Sequence, residues 1–241
     1  MSVIAVCGLP GSGKTLFNTY LQLKHFKRQN NVFLKIKRKI KKEELIVNNV
    51  FSNYPILLKK NKKKQLYCNR VSLNDLYEYT RFPINSNLCF DEFQLYFDSL
   101  DFKNFPKNVR NLFQLHRHLG FNHIYILSQH PSRIVKQARV LVSEFYEIVK
   151  SIRLPFGLMF FRYNIYYNYE DFGKPVNVKK NEVVYRFKKK FLIFRYKKVY
   201  NAYDTIYMRH LLDDKEDFYA TKYADISMNL DDINYTFDIK V

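Results

Sequence analysis

Tryptophan is absent from the 241 residues, and cysteine, glycine and proline number only three, six and seven. The cysteines, Cys7, Cys68 and Cys89, form an odd set without framework spacing, which argues against a disulfide-stapled secreted scaffold. Cys7 and Cys89 lie in apolar runs and read as buried, inert thiols. No apolar run approaches the ~18 residues that a membrane-spanning helix requires. The greasiest stretch, Leu154 to Tyr169, is interrupted by Arg162 and Asn164 and reads as β-structure. There is no internal repeat and no Gly/Ser linker. The apolar start SVIAVC enters a glycine loop with no basic n-region before it, so no signal peptide is expected. The expectation from these absences is a soluble cytoplasmic protein, at most peripheral at the inner face of the membrane.

Acidic residues are also scarce, 22 against 41 Lys plus Arg, for a net charge of +19. From Leu211 onward eight acids stand against three lysines, a local −5, so the body before them carries +24. A body that basic attracts polyanions, either nucleic acid or an anionic membrane face. A lysine-rich surface also follows from AT-rich coding, which the abundance of Lys, Asn, Phe and Tyr indicates. Hydrophobic residues make up 47%, enough for the core of one full α/β domain.

Hydrophobic spacing predicts a strand over Ser2 to Cys7 and a helix from Thr15 to Arg28, ended by Asn30-Asn31. Two lysine-dense stretches, at 35–42 and 59–64, flank a β-like run from Leu45 to Phe51. Ser72 can cap a short helix containing Leu73, Leu76 and Tyr77. Strands over Asn87 to Phe90, His123 to Leu127 and Phe145 to Val149 then alternate with helices. Those helices cover Phe105 to Leu119, with Gly120 as the stop, and Ile134 to Val142. Such alternation indicates an α/β fold with a mainly parallel sheet covered by helices. After about Ser151 the texture changes to β-like runs at 158–169, 182–187 and 191–196. The expected organisation is a core over 1–150, a β-rich extension over 151–210 and an acidic tail over 211–241.

The glycines mark the chemistry. Residues 8–15, GLPGSGKT, match G-x-x-x-x-G-K-S/T, follow a strand and open a helix, which is the P-loop context. Gly8, Leu9, Pro10, Gly11, Ser12, Gly13, Lys14, Thr15 and Leu16 are therefore the candidate nucleotide-binding residues. Three glycines let successive N–H groups turn toward one anion. Lys14 supplies a point charge to the β/γ-phosphates of ATP, and Thr15 a hydroxyl to Mg²⁺. Hydrolysis needs a second metal ligand and a base, and NLCFDE ends a buried strand with both: Asp91 for Mg²⁺ and Glu92 for the attacking water. Gln129 ends the next strand and would emerge on the same edge, placed to sense the γ-phosphate or position water. An arginine must reach the γ-phosphate, often from a neighbouring subunit; Arg110, Arg117, Arg133 and Arg139 are candidates, Arg117 foremost. His116 and His118, two apart, point to different faces of a helix and make a poor metal pair.

The order of GLPGSGKT, FSNYP, LCFDEFQ, HRHLGFNHIYILSQHPSRIVKQAR and YNAYDT resembles the zonular occludens toxin-like (Zot) family over roughly residues 1–210. Its narrower signatures are Arg117-His118-Leu119-Gly120 before the strand that Gln129 ends, and Tyr-x-x-Tyr-Asp-Thr at 200–205. The resemblance implies a filamentous-phage morphogenesis ATPase of the FtsK–HerA group with a RecA-like (ASCE-type) sheet. It also implies ATP-driven export or packaging of single-stranded DNA, as a homo-oligomeric ring. Members of the family commonly cross the membrane after the ATPase domain, which this sequence does not; a separate membrane-embedded partner would fill that role. Lys37, Arg38, Lys39 and the 59–64 cluster are candidates for DNA contact. Two other readings stay open at the level of sequence: a small-molecule phosphotransferase, and a docking protein that holds ATP without hydrolysing it.

Overall fold

The computed structural model describes residues 2–43, 46–60, 65–71, 75–76, 82–97, 99–100, 105–174, 176–179, 182–185 and 187–203. Ser72, Leu73 and Tyr77 of the expected short helix, residues 61–64 of the second lysine cluster, Asp204 and Thr205, and the acidic tail lie outside the described residues.

Strand β1 (Ser2–Cys7) alternates strictly, with Val3, Ala5 and Cys7 in one core and Ile4 and Val6 in the other. Both faces are covered, so the strand reads in sequence as an unbroken apolar run. Helix α1 (Lys14–Gln29) covers one face with Leu16, Phe17, Leu23 and Phe26. Asn30 closes α1, its N–H donating to Phe26 O. Asn31 then caps a second helix, α2 (Val32–Ile40), its side chain accepting from Leu34 N at 2.8 Å. The sequence showed the end but not this new beginning.

Next come β2 (Val50–Ser52), β3 (Leu57–Lys60), β4 (Gln65–Tyr67), β5 (Asn69–Arg70) and β6 (Asn87–Phe90). They are followed by α3 (Lys107–Leu115), β7 (His123–Ser128), α4 (Lys136–Arg139) and β8 (Glu144–Leu154). The last elements are β9 (Leu158–Tyr166), β10 (Val176–Lys179), β11 (Glu182–Tyr185), β12 (Lys188–Arg195) and α5 (Tyr196–Tyr200). The helix expected over 134–142 contracts to α4, because Pro131 opens a 3₁₀ turn and Ile134 and Val135 are extended.

Eight strands form one sheet in the order β12-β9-β8-β1-β7-β6-β2-β5. The six from β8 to β5 are parallel, and β9 and β12 add antiparallel strands at one side. The fold is thus α/β with a mainly parallel sheet, as expected. Strand β7 separates β1 from β6, the RecA-like arrangement. Strand β8 continues past residue 150 through a register shift between Ile148 and Lys150, pairing with β1 over Glu144–Glu147 and with β9 to Leu154. The β-rich segment is therefore continuous with the main sheet.

Beneath α1 runs a buried polar seam. Asn18 Nδ2 donates to Tyr54 OH (2.8 Å), and Gln22 Nε2 to Asn18 Oδ1 (2.9 Å). Asn87 Nδ2 donates to Gln22 Oε1 (2.7 Å), and Asn122 Nδ2 to Asn87 Oδ1 (2.9 Å). Each amide answers the next, which is what allows such groups between a helix and a sheet.

Candidate functional site

The parallel register brings three strand ends to one edge. Cys7 lies beside Ser128 and Phe90 beside Ile126, so Gly8, Asp91 and Gln129 all leave at the carboxyl end of the sheet. Gly8 N donates to Gln129 O at 3.2 Å, tying the loop to the β7 end. Gly11 and Gly13 take φ of 76° and 87°, conformations that side chains rarely adopt. A Cβ on Gly13 would also lie 3.1 Å from the Phe161 ring, so β9 braces the loop from behind.

Lys14 is 6% exposed, its Nζ donating to Gly8 O (3.0 Å) and Leu9 O (3.3 Å). The ammonium therefore lies across its own loop. Ser12 Oγ is buried there without a hydrogen-bond partner. Gly13 caps α1 with no side chain, so the first-turn N–H groups have no side-chain acceptor. An unpartnered hydroxyl, a cation and open N–H groups suit a phosphate chain.

Thr15 Oγ1 donates to Asp91 Oδ2 at 2.8 Å, joining the loop to the end of β6. Asp91 is 4% exposed, and burial pushes its carboxyl up to about 6. The Thr15 hydrogen bond, the Glu92 N–H and the Lys14 charge oppose that rise, while the Glu92 charge adds to it. Two hard oxygen donors, one an under-solvated carboxylate, form a donor set that suits Mg²⁺. Cys7, Cys68 and Cys89 are buried free thiols, and burial raises the pKa of each.

Glu92 adopts a left-handed backbone (φ 45°, ψ 48°) and its carboxylate accepts from Gln94 Nε2. A non-glycine residue held there stores strain, a feature that concentrates at functional sites. The arginines separate by position. Arg117 is exposed in the turn before β7, at the sheet edge opposite Gly8 and Gln129, so it does not meet Lys14 within one chain. Arg139 stacks on Tyr169 at 4.2 Å and donates to Pro131 O and Ser132 O. Arg133 is exposed four residues beyond Gln129, on the same edge as the loop. His116 is buried, with Nδ1 2.7 Å from Phe113 O, whereas His118 is exposed, so the two rings diverge.

The profile of the family described as Zonular occludens toxin (Zot) matches residues 2–203. The chain belongs to the Zot family. A comparison with curated proteins finds no match. Among solved structures, the N-terminal domain of zonular occludens toxin from Neisseria meningitidis is similar, at 19% identity and a TM-score of 0.50. That alignment covers 84% of this chain and 98% of the other. The genome packaging NTPase B204 of Sulfolobus turreted icosahedral virus 2, in complex with ATP-γS, aligns at 14% identity and a TM-score of 0.37. It covers 64% of this chain and 76% of that one. A KaiC-like protein from Pyrococcus horikoshii gives 8% identity and a TM-score of 0.37, covering 80% and 89%. The first likeness concerns the fold alone, and the latter two carry no functional weight.

In this Zot-family chain one positioning residue escaped the sequence. Asn53, 4% exposed at the end of β2, clamps the backbone of Asp91 from the neighbouring strand. Its Nδ2 donates to Asp91 O (2.9 Å) and its Oδ1 accepts from Asp91 N (2.8 Å). The signal was FSNYP, which carried the family resemblance without a role. Asn53→Ala leaves a buried N–H and C=O unpaired, an expected loss of about 1–3 kcal/mol of stability. Because Asp91 then drifts, kcat should fall about tenfold or more, read from steady-state turnover across a Mg²⁺ titration; the conservative Asn53→Asp should restore less than half of it.

Proposed function

We propose that this chain hydrolyses ATP with Mg²⁺ and that turnover drives single-stranded phage DNA during virion assembly, the chain working as a ring. The observation that carries the hydrolytic reading is the 2.8 Å bond from Thr15 to Asp91, with Glu92 the next residue. It links the phosphate loop to the strand end that offers a metal ligand and a base. Membership of the Zot family supports the assembly role, and the +24 body supports a polyanionic partner.

On ATP binding, Lys14 exchanges its contacts with Gly8 O and Leu9 O for β/γ-phosphate oxygens. The N–H groups of the loop and of the first turn of α1 hold the same phosphates. Thr15 and Asp91 would hold Mg²⁺, which would neutralise phosphate charge as it develops. Glu92 accepts a proton from the attacking water, and Gln129 orients that water. Arg133 of a neighbouring copy is the arginine best placed to meet the γ-phosphate, ahead of Arg117.

The test is ATP turnover with and without single-stranded DNA, for wild type and Lys14→Ala. Wild type should turn over faster with DNA, and Lys14→Ala should lose activity on the order of 10²-fold in both conditions. Equal rates in all four conditions would sink the motor reading. Phosphate transfer to a small acceptor without DNA stimulation would replace it with a phosphotransferase.

A further inference from the structure

Helix α2 has no buried residue among its nine. Val32, Phe33, Ile36 and Ile40 are 74%, 79%, 55% and 78% exposed. At 100° per residue these four share an arc of about 100° on the helix surface. A surface helix ordinarily turns such a stripe into the core. Here the opposite side faces the protein: Arg38 donates to Gln29 O (2.7 Å) and to Asn30 Oδ1 (3.3 Å), fastening the helix to the end of α1. The stripe is thereby directed outward.

Charge surrounds it. Lys35, Lys37, Arg38, Lys39, Lys41 and Lys42 fall within eight positions, and the first acid is Glu43. Lys37 and Lys39 flank the apolar arc, one on each side. Next to α2 opens a cavity of about 490 Å³ lined by apolar residues such as Leu23, Phe26 and Leu58 and by Lys27, Lys35, Lys59, Lys60 and Lys198, with no carboxylate among the described residues. Burial and the neighbouring Lys198 charge hold the Lys27 ammonium below its ordinary range. Five lysines thus stand around a cavity beside an apolar stripe.

We propose that α2 lies in the interface of an anionic lipid bilayer, its Val32-Phe33-Ile36-Ile40 stripe among the acyl chains and the lysine cavity taking headgroup phosphates. A basic helix with one apolar face is the form of an in-plane membrane anchor, and each lysine near an anionic leaflet adds attraction. Against a second copy of the same face stands the repulsion of two helices each carrying four positive charges, with Lys41 and Lys42 just beyond. Against nucleic acid stands the stripe itself, which holds one aromatic and three branched aliphatic residues that give bases little to stack on. The 16-residue α1 separates α2 from the phosphate loop by about 24 Å. Docking through α2 therefore leaves the nucleotide edge free. Among the described residues no helix is long and apolar enough to cross a membrane, and this contact needs none.

The experiment is vesicle co-sedimentation of the full chain, using phosphatidylcholine vesicles with and without about 30% phosphatidylglycerol. The variants are Phe33→Asp/Ile36→Asp and Lys41→Glu/Lys42→Glu, both on exposed positions outside the site. Wild type should sediment with the anionic vesicles only and be released by salt. Each variant should bind them at least about tenfold more weakly, with wild-type ATP turnover and melting temperature. Failure of wild type to bind anionic vesicles at low salt overturns the proposal, as does undiminished binding by Phe33→Asp/Ile36→Asp. An equal loss of single-stranded DNA binding in that variant would assign the stripe to nucleic acid instead. A smaller sedimentation coefficient in lipid-free buffer would assign it to a second copy.

Discussion

Glu92→Gln is expected to lower ATP turnover by about 10²–10⁴-fold, the range for loss of a positioned general base, while ATP affinity stays within a few-fold of wild type. The separation follows from the geometry. Phosphate binding rests on the loop, where Lys14 and the N–H groups belong to residues 8–17. Glu92 stands outside that loop, on the β6 end, and is joined to it only through Asp91 and Thr15. The substitution keeps size and the acceptor oxygen that Gln94 addresses, so the left-handed turn survives. The measurements are single-turnover hydrolysis and binding of a fluorescent ATP analogue. If binding is lost together with turnover, Glu92 is holding the site together and is not its base. If turnover is untouched, the base lies elsewhere.

Asp91→Asn should separate stability from activity in the opposite direction. Burial raises the Asp91 carboxyl from 3.8 to about 6. A carboxyl raised in the folded state favours its protonated form there. Stability is therefore lost as pH rises from about 3.8 to about 6, and the cost is complete above that window. Removing the charge at pH 7.5 should stabilise the nucleotide-free protein by about 1–3 kcal/mol, several degrees in melting temperature. At pH 4 the difference should nearly vanish. Turnover should nevertheless fall on the order of 10²-fold or more, because a metal ligand is gone. Melting curves at the two pH values, beside Mg²⁺-dependent turnover, check both halves. A less stable variant at pH 7.5 would show that the Thr15 and Glu92 N–H bonds outweigh the desolvation of the charge.

What could be read from the sequence was what local chemistry dictates. Glycine spacing between a strand and a helix marks the loop, and strand-plus-DE marks Asp91 and Glu92. Both depend on neighbours in the chain. Asn53 escaped because its role is defined across strands: it matters only once β2 lies beside β6. Arg117 stood foremost among the four candidate arginines, and strand direction puts it at the amino end of β7. The helix α2 was hidden inside a lysine-dense stretch. Its apolar residues have helical spacing, yet the abundant charge and the Asn30-Asn31 stop mask it. The helix expected over 134–142 failed for a local reason, since Pro131 committed the chain to a short turn first. The continuity of β8 with β9 was also illegible, because pairing partners for weakly alternating strands are set by the sheet they join.

The buried amide seam beneath α1 has a mechanical consequence. A greasy helix–sheet contact permits sliding, since one apolar contact replaces another at little cost. Asn18, Gln22, Asn87 and Asn122 permit none, because a displacement of one turn would leave several buried amides unanswered at once. The helix that begins at the phosphate loop is therefore a fixed strut, held in register on the sheet from the loop to its far end. There it meets Asn30, Arg38 and the basic helix they fasten.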